Sequence, residues 1–266
     1  MALRHTMRVA LCQLRSAVGD VQANLNRVRE VMEGTDADLF VFPETYLTGY
    51  MVRDRVVALA EDMDGESINH LLELADRTGK AVVVGVPLND PCNHGLITNS
   101  AVMVTPDGRV QRYDKLHPAN FGPFEEGLYF TAGQTPAMFQ LRGHGIGVCI
   151  CYDLFFPEIC KAYAMQGADM LLCIAASPVT SRTPFETMVP ARAVENTCPI
   201  AYVNNVGSQQ NMVFFGGSQA YDAKGRPLAK LPYLREAVEV VDVDLLQNGP
   251  ARRARPTLRD SLGSLR

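Results

Sequence analysis

The chain has 266 residues, which allows one large domain or two small ones at roughly 100–200 residues per domain. Hydrophobic residues make up 47% and charged residues 20%, a globular composition that excludes general disorder. The net charge of −4 argues against a nucleic-acid binder resting on bulk positive charge, and no apolar run approaches membrane-spanning length. The opening MALRHTMRVALCQL lacks a small-residue cleavage site and reads as a first strand, not a signal peptide. The seven cysteines are odd in number and scattered, which points to a reducing cytoplasm and not to a disulfide framework. No Cys pair has C-x-x-C spacing and the histidines form no H-E-x-x-H, so no structural zinc site is expected.

Residues 7–14 read as a strand. Asp20 is placed to cap a helix with Leu25, Val28, Val31 and Met32 on one face, ending at Gly34. A short buried strand is expected over 38–43, a helix over 66–78 stopped by Gly79, and a buried strand over 81–88. Strands 97–104 and 109–113 flank Pro106-Asp107-Gly108 and predict a hairpin. A strand over 145–151 precedes a helix with Pro157 in its first turn and Ile159, Cys160, Tyr163 and Ala164 facing inward. A strand over 170–177 follows. Thr183-Pro184-Phe185-Glu186 reads as a capping box with Pro at the first helical position, and Pro190 as a kink or restart. Segments 199–206, 214–231 and 237–245 read as further strands.

No Gly/Ser/Pro-rich linker divides the chain. The expectation is one α/β domain over residues 1–250, with two packed sheets and helices outside, followed by a basic tail over 251–266. The tail carries Arg252, Arg253, Arg255, Arg259 and Arg266, as a solvated arm or one crossing a subunit interface.

Cysteine is the strongest candidate nucleophile. In GVCICYDLFFPE, Cys151 ends a buried strand just before a helix, where a sharp turn exposes a side chain and helix-start N–H groups can bind an oxyanion. Cys149, two residues earlier on the same side of the strand, reads as core. A free thiol is mostly protonated at neutral pH and needs a base or a nearby cation. Glu44 in FVFPETYLTGY follows a short apolar strand, as a cleft carboxylate or a solvated loop residue. Lys115 in RYDKLHP and Glu126 in FGPFEEGLYF read alone as surface groups.

Together these segments resemble the nitrilase superfamily of carbon–nitrogen hydrolases. The resemblance rests on Phe42-Pro43-Glu44 with Leu47-Thr48-Gly49-Tyr50, on Tyr113-Asp114-Lys115-Leu116-His117, and on Cys151-Tyr152-Asp153 with Phe156-Pro157-Glu158. Glu44 and Lys115 are 71 residues apart and Lys115 and Cys151 are 36 apart, in the family's order. Ala191-Arg192-Ala193-Val194-Glu195-Asn196, Asn205-Val206-Gly207 and Phe215-Gly216-Gly217-Ser218 extend it from residue 7 to about 245. The resemblance implies a single-domain four-layer α-β-β-α sandwich and acyl transfer through a Cys thioester, with no metal or organic cofactor. It implies Cys151 as nucleophile, Glu44 as base, and Lys115 with the backbone N–H of Tyr152 as oxyanion stabilisers. Glu126 matches a second family glutamate that orients the site. A charged amine beside the thiol is expected to favour thiolate.

Cys151-Tyr152-Asp153 differs from the Cys-Trp-Glu usual in true nitrilases and points toward an amidase acting on a small linear amide. KLHPANFGPFEEGLYF (115–130) and VGSQQNMVFFGGS (206–218) are similar to the glutaminase domains of glutamine-dependent NAD synthetases. Phe121 stands where those domains carry tyrosine, and Pro118-Ala119 replaces their Leu-Pro. No P-loop-like adenylate site is visible, which favours a free-standing amidase. Tyr50, Phe121 and Ser177, at the start of the 177–183 loop, are candidate pocket walls, with ordinary packing as the alternative for the two aromatics. Arg192 and Glu195, three apart on a helix, are expected to pair as structural support.

The alternatives are an N-carbamoyl amine amidohydrolase, a glutaminase-type ammonia donor, a papain-like hydrolase using His117 or His144, a redox-sensing thiol protein, and a catalytically silent binding module. The expected partner is a small-molecule amide, without nucleic acid or membrane. The resemblance implies a homodimer or higher homo-oligomer.

Overall fold

Side-chain alternation decides the layering. The computed structural model describes residues 5–264; Met1–Arg4, Leu265 and Arg266 lie outside the described residues. The first half comprises β1 (Thr6–Gln13), α1 (Val21–Gly34), β2 (Leu39–Val41), α2 (Val56–Leu59), α3 (Glu66–Thr78), β3 (Ala81–Asn89), β4 (Ile97–Val104) and β5 (Val110–Asp114). The second half begins with β6 (Met138–Leu141), β7 (His144–Ile150), α4 (Pro157–Met165), β8 (Met170–Ala175), α5 (Arg182–Asn196) and β9 (Ile200–Asn204). It continues with β10 (Val206–Gln209), β11 (Met212–Phe215), β12 (Gln219–Tyr221), β13 (Pro227–Lys230), β14 (Ala237–Asp244), α6 (Asn248–Ala254) and α7 (Thr257–Ser264).

Two six-stranded sheets result, ordered β14-β1-β2-β3-β4-β5 and β13-β12-β9-β8-β7-β6, with β10 and β11 as a separate hairpin. β1, β2 and β3 run parallel, as do β7, β8 and β9. Along β1, Val9 and Leu11 join the cluster that includes Ile146 and Val148 of the other sheet, while Ala10 and Cys12 join Val28 of α1 and Leu71 of α3. This period-2 division places one sheet face in a sheet–sheet core and the other under helices. On β7, a Cβ at Gly147 would lie 2.5 Å from the Tyr163 ring, so α4 packs directly on the second sheet. The result is the expected four-layer α-β-β-α sandwich.

Local chemistry explains most boundaries. Asp20 accepts from the Ala23 N–H at 3.0 Å and caps α1, and Gly79 closes α3 in the left-handed conformation. The expected hairpin forms between β4 and β5, with Gly108 at φ +79° in its turn.

Several expectations are corrected. The segment 199–206 divides, because β9 ends at Asn204 and Val206 begins the separate hairpin. α5 begins at Arg182 after Ser181, without a side-chain cap, so Pro184 sits at the third helical position. Its missing N–H is harmless there, since first-turn amides have no helical partner. Pro190 neither ends nor restarts α5, which runs through to Asn196. The basic segment docks at its start: Arg252 donates to the Ala168 carbonyl at 3.2 Å and Thr257 to the Glu195 carbonyl at 2.9 Å.

Candidate active site

The sheets present their strand ends at one place, and three loops converge there. Glu44 follows β2 in a tight turn with Thr45 at φ +46°. β3 passes so close that a Cβ at Gly85 would lie 2.2 Å from the Thr45 nitrogen, so only glycine fits. The Gly85 N–H donates to the Pro43 carbonyl at 3.1 Å and pins this turn. The Glu44 carboxylate is fully buried and accepts three hydrogen bonds. Lys115 Nζ and Asn99 Nδ2 each donate to Oε1 at 2.7 Å, and the Ala176 N–H donates to Oε2 at 2.7 Å.

Lys115 follows β5, and its backbone N–H donates to the Asn99 carbonyl at 2.8 Å. Its ammonium is buried between two carboxylates, donating to Glu44 and, at 2.8 Å, to Glu126 Oε1. Glu126 also accepts from the Tyr50 hydroxyl at 2.6 Å and from the Ala119 N–H at 3.0 Å. The acidic pair of the sequence is thus divided, with Glu126 buried and Glu125 exposed.

Burial would pull the Lys115 ammonium down, but Glu126 and Glu44 outweigh it and hold the amine well above its ordinary value. Burial pushes the Glu126 carboxyl up, assisted by Glu44, while Lys115 and the Tyr50 hydroxyl oppose it. Its three donors suit the ionised form, because a protonated carboxyl would have to donate where these groups already do.

Cys151 does not belong to the strand. β7 ends at Ile150, and Cys151 opens a 3-10 turn over Cys151–Phe155 at φ +50°. The left-handed backbone breaks the strand alternation, so the two cysteines do not share a side as expected. Cys149 neighbours Cys160 and Cys173, whereas Cys151 lies within electrostatic reach of Glu44, Lys115 and Glu126. Its Sγ is 3.5 Å from Ser177 Oγ. Burial and then Glu44 push the Cys151 thiol well above its usual range, and Lys115 only partly offsets them. The amine does favour the thiolate, as expected, but burial first and Glu44 next outweigh it.

Asp153 holds this turn. Its fully buried carboxylate accepts from the Ile150 N–H at 3.1 Å, the Tyr113 hydroxyl at 2.8 Å and the His117 N–H at 2.9 Å. Arg192 donates through Nε to the Leu154 carbonyl at 2.9 Å and through NH1 to Glu195 at 2.8 Å, the expected supporting pair. Asn204 accepts from the Ser177 N–H at 2.8 Å and donates to the Ser177 carbonyl at 3.2 Å.

The structure therefore brings together Glu44, Lys115, Glu126, Cys151, Ser177 and Tyr50, and Tyr152 follows Cys151 in the first turn of the 3-10 segment, where N–H groups lack helical partners. Phe121 stays outside the charged cluster, half exposed on the rim with its ring 4.8 Å from that of Tyr152. Asn99, Asp153 and Asn204 were not singled out by the sequence. Asp153 sat in the motif quoted for Cys151, but two of its partners, Tyr113 and His117, lie on β5 and in the loop after it. Among the described residues, no group of three or more His, Cys, Asp or Glu is arranged to hold a metal ion, and no helix is long and apolar enough to cross a membrane.

This fold and site define a hydrolase of the nitrilase class. Residues 8–253 match the family model for carbon-nitrogen hydrolases, and the chain belongs to that family. It is 34% identical over 259 residues to an (R)-stereoselective amidase of Pseudomonas sp., spanning 96% of this chain and 91% of that one. It is 29% identical to the glutamine-dependent NAD(+) synthetase of Aquifex aeolicus over 94% of this chain but only 44% of that protein. Among solved structures it resembles a variant of the amidase from Nesterenkonia sp. AN1 that carries the acetamide moiety of fluoroacetamide on its active-site cysteine. That match has a TM-score of 0.79 and 29% identity, covering 93% of this chain and 94% of that one.

Proposed function

We propose that this carbon–nitrogen hydrolase cleaves a small linear amide to a carboxylate and ammonia through a thioester on Cys151. The observation that carries the proposal is a buried thiol on a left-handed turn, within electrostatic reach of an ammonium held between two buried carboxylates. The covalent acetamide on the cysteine of the related amidase supports the same role for Cys151.

Burial and Glu44 hold the thiol pKa well above its usual range, so attack calls for a base at the moment of reaction. Glu44 takes the Sγ proton as sulfur bonds to the amide carbon. Lys115 Nζ and the Tyr152 N–H stabilise the oxygen that gains negative charge. Collapse breaks the C–N bond, and the proton on Glu44 passes to the leaving nitrogen, releasing ammonia. Glu44 then takes a proton from water as the water oxygen attacks the thioester. Collapse of this second adduct returns a proton to sulfur and frees the acid. Glu126 keeps Lys115 in place through both steps. Tyr50 and Ser177 border the reacting centre, and Phe121 stands at its entrance.

The test is ammonia release from propionamide, glutamine, an N-carbamoyl amine and a nitrile, with hydroxylamine added in a parallel series. The proposal predicts turnover of propionamide and diversion of the acyl group to a hydroxamate. Preferential release from the carbamoyl amine or nitrile would overturn the substrate reading. Ammonia release without any hydroxamate would count against the thioester.

A further inference from the structure

The segment VGSQQNMVFFGGS, singled out in the sequence, forms the separate hairpin of β10 and β11, and the chemistry above makes no use of it. The hairpin's contact with residues 50 and 51 is polar and specific. Tyr50 opens a 3-10 segment, Tyr50–Arg55, whose preceding residue is Gly49. Glycine has no side chain to cap the first N–H groups, which have no partner within a helix. Gln209, 159 residues further along, supplies the cap: its Oε1 accepts from the Tyr50 N–H at 2.9 Å and the Met51 N–H at 3.1 Å. Its Nε2 donates to Ser16 Oγ at 2.9 Å, an acceptor shared with Asn205 Nδ2. Gln210 Nε2 donates to the Met51 carbonyl at 2.7 Å, so the hairpin holds both the N–H and the carbonyl of Met51. Phe214 of β11 sets its ring edge-on to Tyr50 at 5.7 Å.

Tyr50 is the residue whose hydroxyl meets Glu126 at 2.6 Å, and Glu126 in turn holds Lys115. We infer that Gln209 is a positioning residue for the reaction: by capping Tyr50 it sets the hydroxyl on Glu126 and so fixes Lys115 against the reacting carbonyl. The inference rests on the proposed amide hydrolysis. Gln209 is buried and its side chain bonds to Tyr50, Met51 and Ser16, so it acts through this chain of contacts.

The Tyr50 hydroxyl favours the ionised form of Glu126. A misplaced hydroxyl therefore destabilises the carboxylate, raises its pKa and moves the acid limb of activity to higher pH. A purely structural role for Gln209 would lower stability and leave that limb where it was.

The experiment is the pH dependence of kcat/KM for propionamide in wild type, Gln209→Met, Ser16→Ala, Tyr50→Phe and the Gln209→Met/Tyr50→Phe double variant. Gln209→Met fills the same space without the acceptor. It should lower kcat/KM by about 10- to 100-fold, as expected for a slightly misplaced catalytic group, and shift the acid limb upward. Tyr50→Phe should shift it likewise, and the double variant no further, because both break one chain of contacts. Ser16→Ala removes an acceptor of Gln209 Nε2 and Asn205 Nδ2 but leaves Gln209 Oε1 on the Tyr50 and Met51 N–H groups, and should keep the wild-type profile. Gln209→Glu retains acceptor oxygens on the Tyr50 N–H and should recover part of the kcat/KM lost in Gln209→Met. Additive effects, an unshifted limb in Gln209→Met, or a matching shift in Ser16→Ala would overturn the inference. Absence of propionamide turnover in wild type would instead count against the proposed function. The contact chain is then read from the pH dependence of iodoacetamide labelling at Cys151, which must move in Gln209→Met and Tyr50→Phe and stay in Ser16→Ala.

Discussion

Asp153 and His117 tie the nucleophile turn to the lysine loop: Asp153 Oδ1 accepts the His117 N–H at 2.9 Å and lies 3.1 Å from its Nδ1. Asp153 stands two residues past Cys151, and His117 two past Lys115. The other carboxylate oxygen accepts from Tyr113, two residues before Lys115. One buried group therefore fixes the register between thiol and amine. Asp153→Asn replaces one acceptor oxygen with a donor that must face either the Ile150 and Tyr113 donors or the His117 donor. Steady-state kinetics should show kcat/KM lowered roughly 100-fold, and melting a cost of about 1–3 kcal/mol. Tyr113→Phe should cost about 1 kcal/mol and less activity. Wild-type kinetics in Asp153→Asn would refute this linkage.

Lys115→Met leaves Glu44 and Glu126 facing each other without a cation. Breaking such a buried arrangement should cost about 3–5 kcal/mol at neutral pH. The sign of the pH response follows from Glu126, which Lys115 now pulls downward. Without the amine its folded pKa rises further, so the folded variant binds a proton that the unfolded chain releases. Stability of Lys115→Met relative to wild type should recover as pH falls through that raised value. Denaturant melts from neutral to mildly acidic pH test this; a deficit that widens on acidification would contradict it.

Glu44→Gln should separate thiol ionisation from turnover. Glu44 is one of the groups that hold the Cys151 thiol protonated, second to burial. Removing its charge should let Cys151 ionise at lower pH, seen as iodoacetamide labelling mapped to the Cys151 peptide. Amide hydrolysis should nonetheless be lost, because the base is gone. Labelling that shifts to higher pH would contradict the electrostatic account.

Gly85→Ala probes the turn that carries Glu44. Its Cβ would meet the Thr45 nitrogen at 2.2 Å and the Pro43 carbonyl at 2.6 Å, both backbone atoms that cannot swing aside. The turn must shift, at a cost of about 1–3 kcal/mol. The same shift moves the Glu44 carboxylate from Lys115 and Asn99, so activity should fall more than stability alone explains. Retained activity with reduced stability would mean the turn tolerates movement.

The layering was legible because buried strands such as 81–88 and amphipathic helices such as α1 write their environment into local periodicity. The charged cluster was legible because Glu44, Lys115 and Cys151 each follow a strand within a recognisable motif. Three features were not. The left-handed turn at Cys151 depends on Asp153 reaching Tyr113 on the other sheet and His117 in the loop after it. The continuity of α5 through Pro190 depends on tertiary packing that overrides local propensity. The raised pKa of the thiol depends first on its burial and then on the charges gathered beside it, which no single segment reveals.

The most direct test of the central claim is ammonia release from propionamide by wild type and Cys151→Ala, with melting curves for both. The account predicts turnover by wild type, and loss of activity by roughly 10⁴-fold or more in a variant that still melts cooperatively. Undiminished ammonia release from folded Cys151→Ala would contradict it.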